Sequence, residues 1–214
     1  SYRNRDFCWW LGVLGKWDAA AMEPGTEHVT IAVSGANGGK TIDFRELANE
    51  GITLLGRTKS FADGKATFEE DLLENLNNGD ENYLSLLDEA DAYIASNNLD
   101  LPEEPEARRV FPDADCITNP ILDLDLAEAG ITSIVWATGF SCDYSWLKVN
   151  AVDENGKPVH HRGVTPEIGF YFLGLPWLSR RGSSFIWGVW HDAKYIADQI
   201  AIQRQYMSYH DSAK

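Results

Sequence analysis

The stretch from residue 170 to residue 202 constrains the fold most, because it reads as a buried strand, a polar loop and an amphipathic helix in succession. Residues 170–174 form an aromatic and aliphatic run before Pro176, which is typical of a buried strand. Ser183 or Ser184 is expected to cap the helix that follows, whose apolar residues recur on one side. The sequence therefore predicts a strand–loop–helix unit at this end of the chain.

The loop before this helix has the composition of a ligand-binding turn. Arg180 and Arg181 precede the helix, and Gly182 allows a ligand to approach the backbone. The unpaired N–H groups and the positive dipole end of a helix favour an electron-rich group, such as a phosphate or a ring carbonyl. The alternative is a buried strand and helix joined by a basic loop that binds nothing, because the pattern is common.

Length, charge and cysteine content limit the class of protein. The chain has 214 residues, of which 44% are hydrophobic, so it is long enough for one large or two small domains with a real core. A net charge of −15 argues against a nucleic-acid-binding surface. Three widely separated cysteines indicate reduced thiols rather than a disulfide framework. Because no apolar run has the length of a membrane span and no signal-peptide layout is present, we expect a cytoplasmic protein that binds neither membrane nor nucleic acid.

The rest of the chain alternates strands and helices, which predicts an α/β fold containing a parallel βαβ unit. Besides 170–174, strands are expected near 29–33, 52–56 and 131–136. The other expected elements are a short helix at 42–49, a hairpin turning at Asp63-Gly64 within 59–68, an acidic helix at 69–97 and a helical turn at 125–129.

Two local motifs suggest ligands but lack part of the required pattern. Residues 34–41, SGANGGKT, end like a phosphate-binding loop, but Ser34 stands where the first glycine is needed. We therefore interpret them as a tight turn between strand and helix. His160 and His161 would point to opposite faces of a strand, and no further ligands follow at metal spacing, so we expect no metal site there.

The segment 134–140, IVWATGF, combines an apolar strand with small residues at its end. Gly139 permits a positive φ, and Thr138 beside it keeps the approach narrow, so the backbone is expected to pass close to another group. The alternative is a strand that simply ends in a turn.

Three motifs in a fixed order carry a resemblance to a known family. IVWATGF, FYFLGLPW and SSFIWGVWHDA resemble the C-terminal half of flavin-containing monooxygenase-like, FAD-dependent NAD(P)H oxidoreductases, which have two dinucleotide-binding domains. RNRDFCWWLGVLGKWD, TIDFRELANEGITLLGR and LDLPEEP extend the resemblance over nearly the whole chain. It implies an α/β fold of partial Rossmann-like sheets with flanking helices. Residues 1–130 would be the remainder of the NAD(P)H-binding domain with a helical insertion, and residues 131–214 the C-terminal part of the FAD-binding domain.

The resemblance also implies which residues contact the cofactors. They fall into a basic patch for the 2′-phosphate of NADPH, a seam between the dinucleotide domains and a loop on the flavin side. In that order they are Arg3 and Arg5; Thr138 and Gly139; and Gly182, Ser183, Ser184 and Phe185.

This chain departs from the family in its phosphate-binding turns. Such proteins carry a GxGxxG motif for FAD and a second one for NADPH, and neither occurs among the 18 glycines here. We therefore expect a fragment, a chain that works with an N-terminal partner chain or a second copy, or a remnant. The complete protein would use NADPH and FAD to oxidise a small organic substrate, with weak or no cofactor binding by this chain alone. A non-catalytic α/β interaction protein is the alternative, and no catalytic residue is identified.

Overall fold

The structure is a computed structural model that describes residues 1–20 and 42–212. The chain divides into two compact units, each made of two stretches of sequence. Unit 1 is Ser1–Trp10 with Ile31–Thr138, and unit 2 is Leu11–Thr30 with Gly139–Lys214.

The described residues and their division into two units leave some of the sequence predictions untested. The strand predicted near 29–33 and the turn at 34–41 lie outside the described residues. The assignment of residues 1–130 and 131–214 to NAD(P)H-binding and FAD-binding domains stays a prediction.

A three-stranded antiparallel sheet in unit 1, together with the helices, confirms the mixed α/β class. Strands β1 (Thr58–Ala62), β2 (Lys65–Phe68) and β3 (Asp123–Asp125) lie in the order β1-β2-β3. The hairpin predicted at Asp63-Gly64 is confirmed, since Ala62 pairs with Lys65 across it. Both turn residues have a positive φ, 51° and 77°, as the tight hairpin turn that matches strand twist requires.

The helices of unit 1 bury one face each. The first is α1 (Phe7–Val13), whose last residues belong to unit 2, and the others are α2 (Phe44–Asn49), α3 (Leu72–Ser96) and α4 (Asp115–Thr118). The long acidic helix predicted at 69–97 is confirmed as α3, because its apolar residues recur at helical spacing and are buried. A small core cluster joins α2, α3 and α4 through Ala48, Leu72, Leu76 and Ile117.

A buried arginine ties α2 to the neighbouring elements. The side chain of Arg45 forms ion pairs with Asp80 on α3 and with Asp113, and its Nη2 donates to Asn77 Oδ1 at 2.9 Å. Asp43 caps α2 by accepting hydrogen bonds from two backbone N–H groups of its first turn. A buried cation needs such complete pairing, so this cluster fixes the position of α2.

Unit 2 contains one long helix, α5 (Val189–Ser212), and its other described residues form the end of α1, short 3₁₀ turns, isolated β-bridges and irregular chain. Lys16–Asp18 and Arg181–Ser184 are 3₁₀ turns. Among the described residues of both units, no helix combines the length and apolar character needed to cross a bilayer.

Three predicted strands are wrong: residues 52–56, 131–136 and 170–174 form no ladder with the described residues. An apolar run becomes a strand only where a neighbour accepts and donates its backbone hydrogen bonds. At 131–136 no such neighbour exists among the described residues, and Val135 is 87% exposed. At 170–174 only Tyr171 forms a bridge, to Val164.

Candidate functional site

The loop of residues 179–188 leads into α5 and contains most of the predicted flavin-side residues. The prediction that Ser183 or Ser184 caps α5 is wrong, because the helix begins at Val189, whose N–H donates to Phe185 O at 2.9 Å. The N–H of Phe185 donates to Gly182 O at 2.9 Å, so it is not free for a ligand. Ser183, Ser184 and Phe185 therefore form or follow a 3₁₀ turn instead of opening the helix.

A close crossing of the chain explains why the helix starts late. A Cβ on Gly188 would lie 2.6 Å from the carbonyl carbon of Gly182. A Cβ on Gly182 would lie 3.0 Å from Trp17 O and 3.1 Å from the Cα of Gly188. The sequence suggested that a ligand could approach the backbone at Gly182. In the structure, other residues of this chain fill the space beside Gly182. Cofactor binding by Gly182 stays a prediction.

Asp192, a buried carboxylate on the first turn of α5, contacts the start of this loop and holds it in place. Asp192 is completely buried, and its Oδ1 accepts the Ser179 hydroxyl at 2.6 Å and the Nε–H of Arg162 at 3.2 Å. Burial alone would raise the pKa of Asp192, but hydrogen bonds from Ser179, Ser183 and Arg162 outweigh it and hold that pKa below its ordinary value. The carboxylate is therefore charged at neutral pH.

Ser183 continues the network into the loop. Its buried hydroxyl oxygen accepts the backbone N–H groups of Ser179 and Arg180, each at 3.1 Å. The Asp192–Ser179 and Ser183 contacts together fix the backbone at the start of the 3₁₀ turn. Ser183 thus has an internal role in the structure, while its contact with a flavin stays a prediction.

The two arginines of the loop have partners in unit 2. Arg180 Nη1 lies 2.9 Å from Asp18 Oδ1, which His191 Nε2 also approaches at 3.3 Å. The guanidinium of Arg181 lies over the Trp177 ring, 5.6 Å from its centroid. A phosphate at this loop would have to compete with Asp18 for Arg180.

Large apolar side chains are exposed at the tip of the loop and on the first turn of α5. They are Phe185, Ile186, Trp187 and Trp190, and we call them the apolar patch. Ile186 is 83% exposed, whereas the Phe185 ring packs partly on the buried Trp17 at a centroid distance of 5.1 Å. An exposed cluster of this kind on a tightly held loop is typical of a surface that meets a ring or another apolar group.

The predicted NADPH residues Arg3 and Arg5 lie in unit 1, where Arg3 is engaged by acids. Arg3 Nε lies 2.8 Å from Asp91 Oδ1, and the Arg3 backbone N–H donates to Glu104 Oε2 at 2.6 Å. Arg5 is exposed, with its guanidinium 5.4 Å from the centroid of the Trp9 ring. Arg5 is thus the more accessible of the two cations predicted to hold a 2′-phosphate.

The seam residues Thr138 and Gly139 are exposed, and the division between units falls between them. Gly139 has a φ of 88°, as its glycine allows. No described atom outside its chain neighbours lies within 4 Å of a Cβ placed on Gly139, so the close approach expected there is not made by the described residues. The contact of Thr138 and Gly139 with a dinucleotide stays a prediction.

Of the two adjacent histidines, His160 packs within unit 2, whereas His161 is exposed. His160 Nδ1 accepts the Gly163 N–H at 3.3 Å, and its ring lies 6.0 Å from that of Phe172. Burial, followed by the neighbouring His161, lowers the pKa of His160, so its ring is neutral at pH 7. In the described part of the chain, no group of three His, Cys, Asp or Glu side chains is arranged to hold a metal ion.

Sequence reasoning missed the residues that hold the loop. In the sequence, Asp192 falls outside the apolar side of the helix, where an acid is normally solvated. Arg162 carried no motif, and Trp17 is far away in sequence. A buried acid leaves no local signal when its partners come from separate segments, so only the fold could identify this set.

Part of this chain is similar to bacterial oxidoreductases. An uncharacterized oxidoreductase CzcO-like of Geobacillus kaustophilus is 44% identical over 94 residues, which are 43% of this chain and 27% of that protein. The uncharacterized oxidoreductases CzcO of Bacillus subtilis and Bacillus velezensis are each 43% identical over 83 residues, 38% of this chain and 24% of theirs.

The extent of these similarities is narrower than the motifs suggested. The chain spans about a quarter of the length of the relatives it matches, and the matched part is 38–43% of the chain, not nearly all of it. No protein-family model matches the chain. No solved structure matches it either.

Proposed function

We propose that this chain is part of a flavin-dependent oxidoreductase that uses NAD(P)H to reduce FAD and then oxidises a small organic substrate. The observation that carries the proposal is the 43–44% identity to proteins named oxidoreductases. The flavin and the monooxygenase-like chemistry come from the resemblance of the IVWATGF, FYFLGLPW and SSFIWGVWHDA motifs.

The 179–188 loop fits the ring of a flavin better than its pyrophosphate. The apolar patch offers exposed aromatic and aliphatic surface for the face or edge of a ring. Arg180 is paired with Asp18, and the sequence contains no GxGxxG turn on which a pyrophosphate could sit. When bound, the flavin would supply the hydride and oxygen chemistry.

The contribution of this chain would therefore be positioning and electrostatics. The positive end of the α5 dipole lies at Val189, directly after the loop, and favours negative charge nearby by roughly 0.3–1 kcal/mol at an exposed site. Because the Phe185 N–H is already bonded within the loop, that dipole, and not a hydrogen bond from Phe185, is the stabilising feature.

A chimera tests this proposal. The matched segment of the Bacillus subtilis relative is replaced by the aligned segment of this chain, and the purified protein is compared with the unaltered relative. We expect both to carry FAD, seen as flavin absorbance, and both to be reduced by NAD(P)H without oxygen. A control chimera carries the same segment in scrambled order.

The outcomes separate the two parts of the proposal. A relative that purifies without flavin, and gains no flavin absorbance on reconstitution with FAD, contradicts the cofactor assignment. If the unaltered relative binds FAD and the chimera folds but does not bind FAD, this segment cannot serve the flavin site.

The isolated chain is expected to bind FAD weakly or not at all. The pyrophosphate normally rests on a glycine-rich turn at a helix N-terminus, and this sequence lacks the GxGxxG form of that turn. Titration of FAD with the 214-residue protein, followed by flavin fluorescence, measures this. Saturation at submicromolar protein would contradict the expectation.

A non-catalytic interaction protein is the second candidate, favoured by the segment 131–140. Its apolar side chains are exposed, with Val135 at 87% and Phe140 fully exposed. An exposed apolar segment that forms no ladder with the described residues suits the addition of a strand from a partner. A colourless relative, together with specific association through this segment, would favour this alternative.

A further inference from the structure

We propose that Asp192 is a positioning residue that holds the 179–188 loop in the conformation presenting the apolar patch, acting through Ser179 and Arg162. The inference rests on the proposed function only in taking the patch as the cofactor-facing surface. The way the loop is held is a property of this chain itself.

Asp192 is a charged side chain with no exposed surface. A completely buried carboxylate is costly unless it is paired and hydrogen-bonded. Asp192 meets this condition on one oxygen, where Ser179 and Arg162 both donate to Oδ1. Its other oxygen, Oδ2, is buried without a hydrogen bond of ordinary geometry to a described residue. Ser179 and Arg162 are therefore the two donors that form hydrogen bonds of ordinary geometry with this carboxylate among the described residues, and Ser183 also contributes to lowering its pKa.

The two donors come from separate segments, which makes Asp192 a junction. Ser179 begins the loop, and Arg162 belongs to a left-handed turn with a φ of 48° followed by Gly163 at 84°. The guanidinium of Arg162 also lies 4.4 Å from the centroid of the Tyr195 ring on α5. Asp192 thus fixes both segments on the first turns of the same helix.

The held backbone leads directly to the apolar patch. Ser179 and Arg180 donate their N–H groups to the Ser183 hydroxyl, and Phe185 donates to Gly182 O. These hydrogen bonds, joined by the peptide bond between Gly182 and Ser183, connect Asp192 to Phe185. If the Ser179 hydroxyl lost its acceptor, the start of this path would be free to open.

Amide hydrogen exchange of the 214-residue protein tests the inference. In Asp192→Asn the charge is lost while the shape is kept, and we expect exchange of the Ser179, Arg180 and Phe185 amides to rise about tenfold, as for a lost charge-assisted hydrogen bond. Exchange in the β1–β2 hairpin serves as the internal reference and should not change. Asp198→Asn is the matched control, since Asp198 lies on the same helix but is exposed and pairs only with Lys194 among the described residues.

A second pair of variants keeps the test valid if Asp192→Asn fails to fold. Ser179→Ala removes the donor and should raise exchange of the same amides, whereas Ser179→Thr restores a hydroxyl and should return it towards the original rate. Unchanged loop exchange in both Asp192→Asn and Ser179→Ala would overturn the positioning role. Equal increases throughout unit 2 would also overturn it, because they indicate a general loss of stability. Neither result touches the flavin assignment, which the chimera tests separately.

Discussion

At the scale of single residues, Gly182 is constrained by the chain around it. Gly182→Ala places a Cβ 3.0 Å from Trp17 O and 3.1 Å from the Gly188 Cα. We expect it to lower the free energy of unfolding by about 1–3 kcal/mol, as overpacking does. Urea denaturation followed by circular dichroism measures this.

The control for this change is a helical glycine in open space. Gly79→Ala on α3 meets no heavy atom within 4 Å and should raise stability by about 0.5–1 kcal/mol. Equal effects of the two substitutions would contradict the crossing at Gly182 and Gly188.

Asp91 is the residue whose titration should set the acid stability of unit 1. Burial would raise its pKa, but the hydrogen bonds from Arg108 and Tyr2 and the charge of Arg3 outweigh it and hold the pKa below its ordinary value. A lowered folded pKa means that Asp91 contributes stability above the unfolded value, about 3.9, and loses it as the pH falls through the folded value. Stability should therefore decline below about pH 4.

Unfolding measured across this acidic range provides the test. Asp91→Asn should lower stability at neutral pH and reduce its slope below pH 4, whereas Asp100→Asn, an exposed acid outside the cluster, should leave both nearly unchanged. An unchanged slope in Asp91→Asn would mean that other carboxylates control the acid response.

At the scale of elements, α3 is the helix on which unit 1 depends. Leu87 is completely buried on it, so Leu87→Ala should cost about 2–5 kcal/mol through the cavity it leaves. Leu73→Ala, at a residue 45% exposed on the same helix, should cost less than about 1 kcal/mol. Thermal or urea unfolding of the two variants decides this, and similar losses would contradict the orientation of α3.

The elements that sequence predicted well are those determined locally. Both α3 and the β1–β2 hairpin are predicted by patterns of neighbouring residues. For α3 the pattern is the helical spacing of apolar residues, and for the hairpin it is the Asp63-Gly64 turn. The strands at 52–56, 131–136 and 170–174 were wrong because pairing depends on a distant neighbour. The start of α5 was wrong for a related reason, since the Gly182–Gly188 contact is invisible in the local sequence.

The candidate site also has features that the local sequence predicts and features that depend on distant residues. Composition identified the 179–188 loop as unusual, and its arginines, glycine and aromatic residues could be read directly. The hold on that loop by Asp192 and Arg162 could not, because the pair is separated by 30 residues in the chain. Cofactor contacts of the loop remain predictions.

At the scale of the whole molecule, the exposed segment 131–140 should make the chain associate. An exposed apolar segment favours contact with another apolar surface or strand edge. We expect the weight-average mass in sedimentation to rise with concentration, and to rise less in a Val135→Ser, Trp136→Ser double variant. Leu73→Ser, which removes a single exposed apolar side chain of α3, is the control.

A monomer at every concentration would contradict this expectation. So would association that the double variant leaves unchanged, because a different surface would then be responsible.

The crossing of Gly182 and Gly188 has a consequence for how such a chain can diversify. The backbone leaves this point and returns to it, so residues 184–187 form an excursion whose two ends are fixed together. Side-chain changes at Ile186 and Trp187 need not alter the register of α5 or the packing on Trp17, because Phe185 makes those contacts. The loop is therefore a module whose tip can be exchanged, while the two glycines and the buried acid preserve the scaffold that carries it.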